Sequence, residues 1–154
     1  MTRRGLAHAW PYITAWALAS WVVTAASSLQ GQAPTKTIWD GAYTKEQAER
    51  GKHLYAEVCA RCHGANLIGG EVAGEVAPDL KGVYFMLRWS DTLSRLFVKI
   101  EDTMPKGDAG TVTSEETADI IAYLLQSNDA PAGTSEVPPN REQARSIVIT
   151  RKPN

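Results

Sequence analysis

The sequence Cys-Ala-Arg-Cys-His occupies residues 59–63 and contains both cysteines of this 154-residue chain. Cys-x-x-Cys-His is the attachment motif of a c-type haem, in which two thiols bond the haem vinyl groups and the histidine binds the iron. The spacing suits this chemistry, because one turn carries the sulfurs of Cys59 and Cys62 across the porphyrin edge and places the His63 imidazole under the metal. The motif therefore predicts one covalently attached haem c.

The alternative interpretation of this motif is a Cys-x-x-Cys redox pair. Such a pair normally opens a helix that follows a strand in a thioredoxin-like βαβ unit. No strand pattern precedes Cys59 in the sequence. The sequence therefore favours haem attachment, and no cysteine is left over for a disulfide or a zinc site.

The composition is that of an ordinary soluble domain, with 44% hydrophobic and 21% charged residues. The sequence has no basic run and no alternation of basic and aromatic residues, which argues against a nucleic-acid-binding protein. Residues 34–154 carry 14 basic and 17 acidic side chains, a net charge of −3. This mildly acidic balance favours partners with a basic docking face.

Residues 1–33 have the pattern of a secretory signal peptide. Arg3 and Arg4 come first without any acidic residue, an apolar stretch follows over residues 13–23, and small residues end the segment. Cleavage after Ala26 or after Ala33 fits this pattern. Because haem is attached to c-type cytochromes after the unfolded chain crosses the membrane, we expect general secretion to a bacterial periplasm rather than twin-arginine export.

A retained membrane anchor is the alternative for this segment. The stretch from Ile13 to Ala26 has only 14 residues and contains three hydroxyl side chains, whereas a membrane-spanning helix needs about 20 apolar residues. A window that starts at Ala9 is borderline in length. The anchor therefore stays open as the second interpretation.

Three main helices are predicted after an entry segment, residues 34–43. The first begins at Thr44 with a capping box to Gln47 and has an apolar stripe that includes Gly51. Glycine costs a helix about 1 kcal/mol relative to alanine, so its place on the stripe predicts close approach of another helix. The second is capped by Asp91 and ends before Met104, because a residue before proline avoids helix.

The third helix begins with a capping box from Thr113 to Glu116 and is stopped by Asn128 and Pro131. Residues 64–82 are rich in glycine and are predicted to be a loop at the edge of the haem. The extension over residues 129–154 ends in a short apolar run, residues 147–149. Two interpretations of this run are equally supported, a strand-like strap packed on the body and a frayed tail.

An electron-transfer haem needs a sixth iron ligand opposite His63. Met104 lies 42 residues after Cys62, between a helix and a turn-rich loop, and it is the preferred candidate. Met86 comes second because it lies in an apolar run that resembles a pocket wall, where methionine is a common gap filler. His53 comes last because it lies off the apolar stripe of the first helix.

A filled coordination shell predicts a carrier rather than an enzyme. A thioether is a soft, neutral ligand that favours ferrous iron, and six-coordinate iron has no position for a substrate. The second nitrogen of His63 also needs an acceptor, and the Pro78 carbonyl, 15 residues later, is the candidate.

Together, these motifs resemble class I cytochromes c over roughly residues 47–127. In that family a glycine and an aromatic precede the first haem cysteine, and a proline carbonyl holds the proximal histidine. A C-terminal helix that carries an aromatic crosses the first helix. The resemblance implies an all-α fold with three main helices and loops around one haem, in a domain over residues 44–128. It implies pocket support from Gly51, Tyr55, Pro78, Leu80 and Tyr123, and Met104 as the sixth ligand.

Residues 39–44 and 69–71 are also similar to cytochromes associated with bacterial quinoprotein alcohol dehydrogenases. We therefore expect a monohaem electron carrier between periplasmic partners, with a donor dehydrogenase on one side and an oxidase or another cytochrome on the other. The first alternative is a dedicated haem subunit of a quinoprotein dehydrogenase or oxidase complex. The second is a haem enzyme or gas sensor with an open sixth position.

Overall fold

The computed structural model of the protein describes residues 36–153. The predictions of a signal peptide and of a membrane anchor concern residues that lie outside this range. Among the described residues, none of the helices has the length and apolar character that crossing a membrane requires.

The first helix, α1 (Lys45–Leu54), begins where the sequence predicts. Thr44 is its N-cap, and the Thr44 hydroxyl accepts a hydrogen bond from the Gln47 backbone N–H at 3.1 Å. The other half of the predicted capping box is wrong, because the Gln47 side chain points to the C-terminal extension. The helix continues through a π-turn (Tyr55–Cys59) into the short α2 (Ala60–His63).

Two further helices lie between α2 and the last one. The first is α3 (Val83–Arg88), where the sequence predicts only an apolar pocket wall. The second is α4 (Leu93–Thr103), which ends directly before Met104 as predicted. Its N-cap is Thr92 and not Asp91. The Asp91 carboxylate instead accepts the Thr92 N–H at 2.6 Å and pairs with Arg95 at 3.2 Å.

The last helix, α5 (Ser114–Ser127), crosses α1 at Gly51. The capping box of α5 is confirmed: the Thr113 hydroxyl accepts the Glu116 N–H, and the Glu116 carboxylate accepts the Thr113 N–H. At the crossing, a Cβ on Gly51 would lie 1.8 Å from the backbone oxygen of Asp119. The predicted close approach is therefore confirmed, and the partner helix is α5.

The helical prediction holds for the main elements, but the all-α prediction is incomplete. The chain also forms an antiparallel hairpin, β2 (Gly70–Val72) with β3 (Glu75–Ala77), inside the predicted loop. A parallel pair, β1 (Lys36–Thr37) with β4 (Ile147–Val148), joins the two ends of the described chain. Both sheets are two-stranded and short, so their alternation could not be recognised in the sequence.

The C-terminal extension packs on the body, which confirms the strap interpretation. Ile149 is 1% exposed and Val137 is fully buried. Gln47 fastens the extension to α1: its Nε2 donates to the Val137 carbonyl at 3.1 Å, and its Oε1 accepts the Val137 N–H at 2.8 Å. The Trp39 indole N–H also donates to the Thr150 carbonyl at 3.0 Å. The buried Gln47 amide thus makes, with the Val137 backbone, the two hydrogen bonds that a neighbouring strand would otherwise make.

We predict that Gly51→Ala destabilises the protein. The added methyl cannot fit against the Asp119 carbonyl, so α1 and α5 must separate, at a cost of about 3 kcal/mol. Urea unfolding of the holoprotein measures this. Lys52→Ala, on the exposed face of the same helix, should change the free energy of unfolding by less than about 0.5 kcal/mol. A stabilised Gly51→Ala variant, as helix propensity alone would give, contradicts the crossing.

We also predict that Gln47→Ala loosens the C-terminal extension. The Val137 N–H and carbonyl lose their partners while buried, which costs about 2 kcal/mol. Urea unfolding and protease cleavage within residues 131–146 measure the change. Gln126→Ala, at an exposed position of α5, is the control. Equal cleavage rates in the two variants would show that Gln47 does not hold the extension.

Candidate functional site

The two cysteines lie on the helical continuation of α1. The π-turn ends at Cys59, and α2 carries Cys62 and His63. Both thiols are free and partly buried. A helix rather than a strand precedes them, so the structural context of a thioredoxin-like redox pair is missing from this region.

The acidity of Cys59 also argues against a redox pair. Burial, and secondarily the neighbouring Cys62, raises the pKa of the Cys59 thiol to about 11. A reactive Cys-x-x-Cys motif instead needs a lowered thiol pKa, so that the thiolate is present near neutral pH. This thiol is therefore protonated at neutral pH and is not tuned to act as a nucleophile.

His63 is oriented by the backbone of the following loop. Its Nδ1 lies 2.9 Å from the Pro78 carbonyl oxygen. A carbonyl can only accept, so Nδ1 is the donor, and in the neutral imidazole Nε2 is then the nitrogen that can bind a metal. The predicted contact between His63 and Pro78 is present in the structure.

The loop between His63 and α3 is closed by backbone hydrogen bonds. The Gly69 N–H donates to the His63 carbonyl at 2.9 Å, and the Leu80 N–H donates to the Leu67 carbonyl at 2.8 Å. Gly69 has a positive φ of 70°, and a Cβ there would lie 2.1 Å from the Ala77 carbonyl. Glycine is thus required for the two ends of the hairpin to meet beside His63.

Asn128 holds the end of this loop, and sequence analysis assigned it only a helix-stopping role. Its Oδ1 accepts the Gly82 N–H at 2.9 Å, while its Nδ2 donates to the carbonyls of Leu80 at 3.1 Å and Leu124 at 2.8 Å. The side chain therefore joins the loop that contacts His63 to the C-terminus of α5. Its partners at residues 80 and 82 are far away in sequence, so no local pattern could have revealed this role.

The two aromatics that the resemblance assigns to pocket support, Tyr55 and Tyr123, are in contact. The rings of Tyr55 and Tyr123 have centroids 5.3 Å apart at an interplanar angle of 53°, a favourable tilted geometry. The Tyr55 hydroxyl donates to the Gly64 carbonyl at 2.7 Å. Burial raises the pKa of Tyr55, with smaller contributions from Cys59 and Tyr123. This pair thus links α5 to the residue that follows His63.

The three candidates for the sixth ligand occupy different environments. Met104 is partly buried and directly follows α4. Met86 is partly buried on α3 and lines a groove of about 670 Å³ together with Trp39 and Lys81. The His53 side chain is 77% exposed, and its Nε2 lies 3.8 Å from a carboxylate oxygen of Glu49. The solvated helix position predicted for His53 is confirmed, whereas the role of Met104 at iron stays a prediction.

The donor set fits a covalent haem. The two thiols have the required spacing, and the imidazole of His63 has one nitrogen held and the other free. A family model described as cytochrome c oxidase, cbb3-type, subunit III matches residues 46–124. Neither a curated protein nor a solved structure matches the chain.

We predict that Asn128→Ala weakens the loop beside His63. The Gly82 N–H and the carbonyls of Leu80 and Leu124 lose their side-chain partner. Because Gly82 is exposed and Leu80 is half-buried, water replaces part of this loss, and we expect a cost of about 1 kcal/mol. Thermal unfolding of the holoprotein measures the loss. Asn128→Asp is the informative second variant, because its carboxylate still accepts from Gly82 but cannot donate to Leu80 or Leu124. An Asp variant as stable as the parent contradicts the proposed role of the Nδ2 hydrogen bonds.

Proposed function

The chain belongs to the cytochrome c family described as subunit III of cbb3-type cytochrome c oxidase, and from this we propose that it is a monohaem carrier of single electrons between periplasmic partners. Membership supports a c-type cytochrome with covalently bound haem and an electron-carrier role. The observation that carries the proposal is the 2.9 Å contact between His63 Nδ1 and the Pro78 carbonyl, next to two correctly spaced thiols.

Each residue of the site has a stated task in this proposal. Cys59 and Cys62 would hold the haem through thioethers, and His63 would bind the iron through Nε2. The Pro78 carbonyl fixes the imidazole plane and, by accepting from Nδ1, makes the opposite nitrogen a better donor. When bound, haem supplies an iron that accepts and returns one electron.

Met104 is our proposed sixth ligand. Its thioether is neutral and soft, and it raises the reduction potential relative to a second histidine. If His63 and Met104 both bound the iron, they would leave no position for a substrate, and little rearrangement would accompany a change of its charge. We therefore propose a carrier and not an enzyme.

The proposed setting is the periplasm, supported by the signal-peptide pattern of residues 1–33. The donor we propose is a dehydrogenase, with a quinoprotein suggested by the sequence of residues 39–44 and 69–71. The acceptor is an oxidase or another cytochrome, through a small and transient interface.

A second candidate function is a dedicated haem subunit of an oxidase or dehydrogenase complex. The family description favours it, because it names a subunit of an oxidase. The chemistry at the iron is the same and only the partner differs. Co-purification of a stoichiometric enzyme complex after mild solubilisation favours the subunit, and a monomer that exchanges electrons with added partners favours the carrier.

We predict that Met104→Ala abolishes the low-spin six-coordinate spectrum, because it removes the proposed sixth ligand. The far-red absorption band of the oxidised protein, which marks iron–methionine coordination, should disappear, and the reduced variant should bind carbon monoxide readily. Met86→Ala is the matched control and should keep the band. The opposite pattern in the two variants refutes the assignment, and a parent that lacks the band and binds carbon monoxide refutes the carrier.

A further inference from the structure

The β2–β3 hairpin (residues 70–77) is anchored at its base beside His63. The Gly69 N–H bonds to the His63 carbonyl, and the Pro78 carbonyl, one residue after β3, contacts His63 Nδ1, both at 2.9 Å. One histidine therefore contacts both ends of the hairpin. At the other end, Ala73 and Gly74 form the turn with φ of 53° and 78°, the tight type I′ geometry that stiffens a two-residue hairpin.

The hairpin has little apolar contact with the body of the protein. Residues 70–76 are all exposed, and Val76 is 82% exposed. An apolar interface therefore does not hold its outer part, and polar contacts decide where it lies.

The outer part of the hairpin instead forms an ion pair with the loop that follows α4. The Glu75 carboxylate contacts the Lys106 ammonium group across 31 positions of sequence. Lys106 is two residues after Met104, in the segment of residues 104–112 that we call the Met104 loop. The pair thus connects the segment fastened to His63 with the segment that carries the proposed sixth ligand.

The Met104 loop has few other polar attachments within the described part of the chain. The Asp108 N–H donates to the Pro105 carbonyl and the Thr111 hydroxyl donates to the Asp108 carbonyl, both at 2.9 Å. These bonds are local and stabilise only the internal shape of the loop. Among the residues that the structure describes, Glu75 is the partner outside the loop with which residues 105–111 make a polar contact.

We propose that Glu75 and Lys106 are positioning residues that hold the Met104 loop in place and so limit how readily the sixth iron position opens. The proposal rests on Met104 as the sixth ligand. Both side chains are largely exposed, at 60% and 70%, so one pair has a modest effect.

The test is the affinity of the ferric holoprotein for imidazole, which competes for the sixth position and is followed by absorbance. Glu75→Gln should raise this affinity about twofold, and Glu75→Lys about fivefold because it also repels Lys106. The charge-swapped double variant Glu75→Lys/Lys106→Glu should return to within about twofold of the parent. In about 1 M NaCl the differences should largely vanish, because salt screens exposed charges.

Glu71→Lys is the matched control, because Glu71 is exposed on the same hairpin, opposite Val76 in the register. It makes the same charge change away from Lys106 and should leave imidazole affinity unchanged. Equal affinities in Glu71→Lys and Glu75→Lys, or a double variant that is not rescued, overturn the positioning role. A parent spectrum that does not depend on Met104 overturns the ligand assignment first, and the positioning role with it.

Discussion

The crossing of α1 and α5 at Gly51 is the contact on which the rest of the structure depends. With no side chain at residue 51, the two backbones meet at the Asp119 carbonyl. From this point α1 continues without a break into the π-turn and the cysteines, while α5 continues to Tyr123 and Asn128. The cysteines and the residues that hold the loop after His63 are therefore both positioned by this one helix–helix contact. A methyl group added at residue 51 would push the two helices apart and so move the cysteines relative to the loop that orients His63.

The loop after His63 is held by hydrogen bonds at several points, and the buried side chain of Leu67 packs in the core. Pro78 accepts from the imidazole, Leu80 and Gly82 are held by Asn128, and the hairpin that precedes Pro78 is closed at Gly69. Hydrogen bonds fix direction better than apolar contacts do, and an axial histidine needs a fixed direction. The same loop then extends outward as the hairpin that contacts Lys106, so the two proposed ligand segments are linked through it.

The C-terminal extension packs against α1 and is bonded to two of its side chains. Gln47 pairs with the backbone of Val137, and Arg50 bonds both Asp119 of α5 and Glu136 of the extension. The first is a buried, neutral and fully paired contact, which contributes more than the half-exposed ion pair does. The extension is thus part of the folded unit, and its strand β4 pairs with β1 of the entry segment.

The sequence by itself determined the chemistry of the site and the main helices. The motif at Cys59 and His63, the caps at Thr44 and Thr113 and the glycine at residue 51 depend on local spacing, which a sequence displays directly. Only the tertiary structure decided the contacts that depend on distant partners. These are the hydrogen bonds of Gln47 to Val137 and of Asn128 to Leu80, and the ion pair of Glu75 with Lys106. A polar side chain can form several hydrogen bonds of similar energy within its own segment. Its actual partner is therefore settled only when the fold brings a distant residue beside it. The short strands were missed for the same reason, because two or three residues form a strand only when another segment lies beside them.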